Sequence, residues 1–549
     1  MNTNPDPKNP YTNPYFTSPS SPFFETPQAS KPSFSTFDTV FAWCSIAVGV
    51  LFIRTLPVAG NTLGGMLVAW LLFGFATFYF LRSGIKPGRQ PLSFAAAACT
   101  LSLGLITSAN ATLHRLLFFF LLCAFSYYVY SICGLAGGKI LDGRCSLHAL
   151  YATVVLPLMG LPHIFPALSL RNRRSSSPAL RTLGWVLIGI GIAVIPTAIV
   201  ILLLSYDEQF TNLLRSLFSF SPKPILELLR DLLLGFAVAV GLFGLLFEAK
   251  RQRKDRNGEE KSLPSANLHV LPKALLCGAV TPILAVYVLF FVSQWSYYVS
   301  AFTHQLPEGL TYADYARGGF FELCWVTAIN AAILLLFHLL IKRGERDRGI
   351  LNAIYSVLFS LATLILIATA LSKMLLYIDS YGLTQKRVYA SLLMLLFAVS
   401  FLAVLVAQFV KKLRLLPTIL VLCLVFFGLA VLPNVDGMIA DYNVDTYLSG
   451  DLPDVDVETL ASYGEASVPA LHRLYKALGE RETLTKAEQG ICARTETLLI
   501  GFTQDMLEEK ASIFAFNLPR HLAKGELREF AEGLWGDTWR DAVKDLVTN

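Results

Sequence analysis

Residues 389–433 read YASLLMLLFAVSFLAVLVAQFVKKLRLLPTILVLCLVFFGLAVLP and contain two apolar stretches, 389–410 and 415–433, on either side of a basic connector. A helix of roughly 20 apolar residues crosses about 30 Å of hydrocarbon. A helix is the expected spanning element, because it pairs its own backbone polar groups where lipid offers no partner. The quoted stretch therefore predicts two consecutive membrane-spanning helices.

The same pattern recurs from residue 39 to residue 433. Hydrophobic residues make up 54% of the chain and charged residues only 15%, so the apolar surface is too large for a water-soluble core. We predict an all-α, polytopic transmembrane helical bundle over residues 38–433. Its eleven spans are predicted at 39–54, 63–81, 92–108, 116–134, 183–204, 230–248, 271–293, 318–341, 350–376, 389–410 and 415–433.

A further apolar stretch, residues 148–170, contains Pro157, Pro162 and Pro166. Proline lacks a backbone N–H and clashes with the preceding helical turn, so three prolines are expected to break a spanning helix. We therefore predict that this stretch is interfacial or re-entrant.

Lysine and arginine are concentrated in every second connector. The connectors 82–91, 135–182, 249–270, 342–349 and 411–414 together hold 22 of these residues, and the five opposite connectors, counted with Arg54 and Arg230 at span ends, hold 8. Because positively charged connectors are retained in the cytoplasm, the amino terminus is predicted inside. With eleven spans, the carboxyl terminus is predicted outside.

The two ends of the chain differ from its apolar middle. Residues 1–37 are rich in Pro, Ser, Asn and Thr and lack the pattern of a secretory signal, so we predict a disordered cytoplasmic tail. Residues 434–549 are acidic at first and then show helical apolar spacing near 457–463, 467–478, 484–509 and 524–547. This predicts a small helical domain that rests on the outer membrane face.

Charge, cysteine spacing and missing motifs argue against several functions. The net charge of +6 resides largely in the membrane connectors, where orientation explains it, so no nucleic-acid partner is predicted. Seven of the nine cysteines lie within apolar spans, and no pair has C-x-x-C spacing, so no metal site is predicted. The chain lacks G-x-x-x-x-G-K-[ST], H-E-x-x-H and G-x-S-x-G motifs. We predict no cofactor and no catalytic residues.

Three blocks in the second half are more specific than composition. Residues 311–323 read TYADYARGGFFEL, residues 373–387 read KMLLYIDSYGLTQKR, and residues 434–445 read NVDGMIADYNVD. Together they resemble an uncharacterised bacterial family of multi-pass membrane proteins, a domain of unknown function of the DUF4153/DUF4173 type. The resemblance is most specific from Pro272 to Leu471. It implies a protein of the bacterial cytoplasmic membrane with an extracytoplasmic tail, and it brings no activity, cofactor or catalytic residue.

The first block predicts a helix that enters the membrane from outside. Tyr312 and Tyr315 lie on neighbouring turns, where aromatic rings favour the interface. Asp314 has the spacing of a helix-capping residue, and Arg317 can extend its charge outwards. Glu322 lies about one turn inside the apolar stretch, where a charged carboxylate is costly unless it is paired or hydrated.

Lys373 has a similar predicted depth, near the end of the ninth span, which runs antiparallel to the eighth. We therefore predict a Glu322–Lys373 ion pair. Two interpretations stay open. The pair fixes only the register of the two helices, or it lines an outward-facing cavity for a polar solute, an ion or a lipid headgroup.

The second block turns the chain outside the membrane through Tyr377, Asp379 and Tyr381, and then continues to Lys386 and Arg387. Two basic residues on the outer face are unexpected, because positively charged connectors are usually retained on the cytoplasmic side. Acidic residues or anionic headgroups would offset them, and an ordinary interfacial anchor is the alternative interpretation.

These residues predict a non-enzymatic membrane protein that transports or senses a polar ligand at the outer half of the bundle. Asn330, in the eighth span, is a weaker sign of the same function. One alternative is a structural or regulatory partner of another envelope protein, contacted through the tail, and a second is a lipid-modifying membrane enzyme. Membrane lipids are predicted partners in every case.

Overall fold

The computed structural model describes residues 34–56, 60–137, 145–168, 200, 222–255, 273–293, 320–340, 350–410, 413–508, 512–540 and 543. All regular secondary structure within these residues is helical. The longer helices are α1 (Thr36–Arg54), α2 (Thr62–Arg82), α3 (Arg89–Leu101), α4 (Ala111–Ile132), α5 (Cys145–Leu168), α6 (Pro222–Asp255), α7 (Lys273–Ser293), α8 (Phe320–Leu340), α9 (Ile350–Tyr381), α10 (Gln385–Phe409), α11 (Leu415–Val431), α12 (Val435–Ser449), α13 (Val457–Ala461), α14 (Val468–Gly479), α15 (Lys486–Glu508) and α16 (Leu518–Trp535).

Helix α1 begins at a reciprocal cap. The Asp38 backbone N–H donates to Ser35 Oγ over 3.1 Å, and the Ser35 backbone N–H donates to Asp38 Oδ2 over 2.9 Å. Such a capping box satisfies two donors that a helix start leaves unpaired. The Phe34 ring stacks on Phe247 of α6 at 4.7 Å between centroids. The described chain is therefore packed from Phe34 onwards, a few residues before the predicted boundary at residue 37.

Helices α1 to α4 and α6 form a first bundle, in which glycines set the closest helix contacts. A Cβ at Gly235 of α6 would stand 2.7 Å from the Cα of Val50 on α1. A Cβ at Gly244 would stand 2.9 Å from the carbonyl carbon of Gly160 on α5. Small residues let membrane helices approach closely, and this packing replaces the hydrophobic driving force that lipid does not supply.

Helix α5 packs alongside α6, with contacts from Phe165 and Phe236 at one end to Tyr151 and Gln252 at the other. The Gln252 side chain donates to the Tyr151 hydroxyl over 3.3 Å, whereas the adjacent Arg251 donates to His163 over 2.9 Å. The two α5 residues are twelve positions apart, or about 18 Å along a helix. Neighbouring side chains of α6 thus reach two distant points of α5, and the interfacial placement of α5 stays a prediction.

The expectation that prolines break this stretch is wrong. A π-helical turn at Tyr151–Val155 and a 3₁₀ turn at Leu161–His163 adapt the hydrogen bonding around the prolines, and the helix runs on from Cys145 to Leu168. By length and composition alone, this run is also sufficient to span a membrane.

Helices α7 to α10 form a second bundle, and α11 packs between α10 and the core of the first bundle. The core of the second bundle includes Phe359 and Leu366 of α9 and Met394 and Phe401 of α10. The outer surface of α10 is apolar and largely exposed, as at Leu402 and Phe409. Exposed apolar helix surface of this kind is expected to face lipid tails.

The tail forms a third unit, α12 to α16, around its own core of residues such as Val444, Leu471, Leu499 and Leu527. No helix is predicted for the acidic stretch at 434–449, yet it forms α12, which leaves α11 at an angle of 59°. The Asn434 side chain caps α12 by accepting from the Gly437 N–H over 3.4 Å. A single polar side chain thus starts a helix that apolar spacing did not indicate.

The all-α, polytopic class predicted for the chain is confirmed. Among the described residues, eight helices are long and apolar enough to cross a membrane. The predicted span at 183–204 lies almost entirely outside the described residues. Helix α6 continues to Asp255, into the predicted connector 249–270. The count of eleven spans and the orientation stay predictions.

Candidate functional site

The structure describes seven of the eleven predicted site residues. The other four lie outside the described residues and are Tyr312, Asp314, Tyr315 and Arg317. The described ones lie on α8, α9 and α10, and five of them lie at or beside the turn that joins α9 to α10. They are Glu322, Lys373, Tyr377, Asp379, Tyr381, Lys386 and Arg387.

Glu322 and Lys373 lie on the packed pair α8 and α9. Glu322 is exposed in the first turn of α8, and Lys373 is half-buried near the end of α9. The Lys373 ammonium lies near enough to the Glu322 carboxylate for the two charges to interact. The two helices thus bring opposite charges to the same depth, and the close ion pair itself stays a prediction.

A second polar group lies deeper between the same helices. The Tyr287 hydroxyl of α7 donates to Asn330 Oδ1 over 2.6 Å, and Asn330 Nδ2 donates to the Thr363 hydroxyl of α9 over 2.9 Å. Asn330 and Thr363 are fully buried. Buried polar groups in membrane helices need such partners, because lipid cannot solvate them.

The turn between α9 and α10 is held by Arg387. Its guanidinium lies 3.9 Å from the centre of the Tyr377 ring and donates to the carbonyl oxygens of Tyr381 and Gly382. Gly382 has a φ of +71°, a left-handed conformation that favours glycine. Arg387 therefore stabilises the turn itself. Asp379, Tyr381 and Lys386 are exposed around it.

The tail domain forms hydrogen bonds with this turn. Asn443 of α12 accepts from the Leu383 N–H over 2.6 Å and donates to the Leu383 carbonyl over 2.8 Å. Both backbone groups of one turn residue are thus satisfied by one amide side chain. The contact joins the tail to the helix that carries Lys373.

Asp436 joins the tail to both bundles. Its carboxylate is 3% exposed and accepts from Asn110 at the start of α4 over 3.1 Å and from Gln385 at the start of α10 over 2.8 Å. The predicted outer ends of both bundles therefore meet at one buried carboxylate of α12. Hydrogen bonds to a buried charge are among the stronger ones in proteins.

A buried ion pair at the other end of the first bundle was not predicted. Asp38 is 1% exposed, and its Oδ1 accepts from Lys250 Nζ over 2.7 Å and from the Tyr79 hydroxyl over 2.9 Å. The only local sequence signal was the Ser35-x-x-Asp38 capping spacing. Nothing near Lys250 indicates a partner so far away along the chain.

A second carboxylate lies close by on α6. Glu248 is 3% exposed, and its Oε2 lies 3.5 Å from Arg251 and 3.7 Å from His163 of α5. Its other oxygen accepts from Gln252 over 3.2 Å. These polar contacts explain why α6 continues beyond its predicted end, since its last turns bind α1, α2 and α5.

Three potential metal ligands approach one another in the tail, namely His472, Glu526 and Glu529. His472 Nδ1 lies 2.7 Å from Glu526, and the Lys476 ammonium contacts Glu529. The Lys476 contact lowers the pKa of Glu529 below its usual value. Each carboxylate therefore has its own partner between α14 and α16, the His472 ring for Glu526 and the Lys476 ammonium for Glu529.

A comparison with known protein families assigns this chain to one of them. The family model described as a domain of unknown function (DUF4153) matches residues 92–474. The match reaches further towards the amino terminus than the predicted resemblance, which is most specific from Pro272. No curated protein and no solved structure gave a significant match. With most of its length matched and its apolar helices arranged as described, this chain is an integral membrane protein of the DUF4153 family.

Proposed function

We propose that the second bundle binds a polar solute from the outer side, and that the protein transports or senses this solute without catalysing a reaction. The proposal places it in the bacterial inner membrane with its amino terminus inside and its tail outside. The observation that carries the proposal is the presence of polar groups at two depths of the same helix pair, α8 and α9.

The two depths are separated by a definite distance along the helices. Asn330 lies eight residues after Glu322 on α8, or about 12 Å, and Thr363 lies ten residues before Lys373 on α9, or about 15 Å. Polar groups in membrane helices are costly and rare away from functional sites. A charged outer level above an uncharged, hydrogen-bonded inner level supports entry of a polar solute between these helices.

The hydrogen bonds between Asn443 and the turn that joins α9 to α10 support a link between this site and the tail. Lys373 lies nine residues before Gly382 on α9, about 13 Å along the helix. The following residue, Leu383, is held by Asn443 through two hydrogen bonds. A change in α9 on solute binding would therefore bias the position of α12. This is the kind of two-site coupling that sensing requires.

The proposal predicts the phenotype of three substitutions. Lys373→Met, Glu322→Gln and Asn330→Leu remove the charge or hydrogen bonds and roughly keep the volume, so solute recognition is expected to be lost while the protein still accumulates. We expect the metabolite profile of cells that carry any of them to match that of a strain lacking the gene. Leu375→Met, on the exposed side of α9, is the matched control and should behave as wild type.

A charge swap refines this experiment. If Glu322 and Lys373 act as a pair, combining Glu322→Lys with Lys373→Glu should restore part of what each single change loses. Wild-type profiles for Lys373→Met and Asn330→Leu, at wild-type protein levels, would contradict the proposal. A changed lipid headgroup composition in the deletion strain would favour a lipid-modifying enzyme instead.

A further inference from the structure

One exposed segment of the tail is strongly apolar. Ile513 is 83% exposed, and four further apolar residues within the next nine positions are also exposed: Phe514, Phe516, Leu518 and Leu522. The core of the tail lies on the opposite side of α16, at Ala523, Leu527 and Phe530. Contiguous exposed apolar side chains on a folded domain mark a surface that contacts something other than water.

Hydrogen bonds fix this segment at the end of the first bundle. The Thr62 hydroxyl, at the first residue of α2, donates to the Phe516 carbonyl over 2.7 Å. The buried Asn517 amide donates to the carbonyls of Ser108 and Leu105 over 2.6 and 3.2 Å. Phe514 also packs against the start of α2, since a Cβ at Gly64 would stand 3.2 Å from the Cβ of Phe514.

These contacts place the segment level with the ends of two membrane helices. Helix α2 begins at Thr62, and the helical turn that ends the third candidate span stops at Thr107. Further along α2, Leu67, Trp70 and Leu71 are exposed and face the expected lipid. The apolar segment therefore adjoins the lipid-facing surface of α2 at the boundary between hydrocarbon and water.

We propose that residues 513–522 form an interfacial membrane contact, in which Ile513, Phe514, Phe516, Leu518 and Leu522 insert into the phospholipid leaflet beside α2. Amphipathic segments of this type lie in the plane of the interface, with their apolar side chains among the upper acyl carbons. Phenylalanine and leucine side chains are typical of the apolar face of such segments. The contact holds the tail domain on the membrane surface and is independent of solute binding by the second bundle.

Photo-crosslinking in a defined membrane tests this contact. A diazirine amino acid is placed at position 513, 514 or 522 of the full-length protein, which is reconstituted in nanodiscs of phosphatidylcholine and phosphatidylglycerol. These side chains are exposed, so the labels do not disturb the core. Glu482, exposed in the turn after α14, is the matched control position. We expect phospholipid adducts from the labels at 513, 514 and 522. At 482 the diazirine should react with water, so no lipid adduct should form.

Two results would overturn this proposal. The first is reaction with water alone at 513 and 514 in nanodiscs, which would place the segment in solvent. The second is a protein adduct in place of a lipid adduct when the labelled chain is irradiated in cell membranes, which would make the segment a protein docking site. Neither result bears on Lys373 or Glu322, so failure here is distinct from failure of the proposed function.

Discussion

Replacing Asp38 with alanine is expected to lower the free energy of unfolding by about 3 to 5 kcal/mol, the range found when one partner of a buried ion pair is removed. The Asp38 carboxylate serves Lys250, Tyr79 and the Ser35 cap at once. Without it, a partly buried ammonium and a buried hydroxyl lose their common acceptor. The first turns of α1, the end of α2 and the end of α6 then lose the side chain that joins them.

The measurement is the unfolding equilibrium of the purified protein in detergent, with two controls. Asp441→Ala removes an exposed carboxylate that pairs with Arg473 in the tail, and exposed pairs of this kind are worth about 1 kcal/mol or less. Asp38→Leu combined with Lys250→Met replaces the pair by apolar side chains and should recover much of the loss. If Asp38→Ala proved no more destabilising than Asp441→Ala, the pair would not hold these helices together.

Replacing Gly244 with valine is expected to destabilise the protein by about 3 kcal/mol, at the upper end of the usual cost of overpacking. A side chain at this position would meet backbone atoms of α5, with the carbonyl carbon of Gly160 at 2.9 Å and the carbonyl oxygen of Pro157 at 3.0 Å. Backbone atoms cannot rotate away as a flexible side chain does. Helix α5 would have to move off α6, which separates His163 from Glu248 and Arg251.

Gly241 provides a matched control on the same helix. A Cβ at Gly241 has no atom within 4 Å among the described residues, so Gly241→Val changes the same residue type without the clash. We expect this variant to unfold close to wild type and Gly244→Val to unfold at clearly milder conditions. Equal behaviour of the two variants would mean that α5 does not pack on α6 as described.

The apolar spans were predictable because membrane helices are specified locally, by length and hydropathy. Helices α2, α9, α10 and α11 begin and end within a few residues of their predicted bounds. Helix α5 departed from the expectation because proline disturbs a helix without always ending it. The π-helical and 3₁₀ turns that absorb its prolines depend on packing against α6, which the local sequence does not record.

The polar contacts were less predictable, because their partners are far apart along the chain. Asp38 and Lys250 are 212 residues apart, and Asn517 and Ser108 are 409 apart. The Glu322–Lys373 pair could be proposed because the two residues lie on adjacent antiparallel helices, where depth in the membrane can be counted from the sequence, and it stays a prediction. The α12 contacts of Asp436 and Asn443 could not be found in this way, since they depend on the bend between α11 and α12.

Solute entry past Glu322 and Lys373 requires the tail domain and the turn after Lys373 to lie together on the outer side of the membrane. Reporter fusions after Asn549 in intact bacteria measure this directly. Alkaline phosphatase, which folds actively only outside the cytoplasm, should be active, and a green fluorescent protein fusion exported by the same route should be dark. A fluorescent fusion with inactive phosphatase would place the tail in the cytoplasm and contradict solute entry past Glu322 and Lys373 from outside.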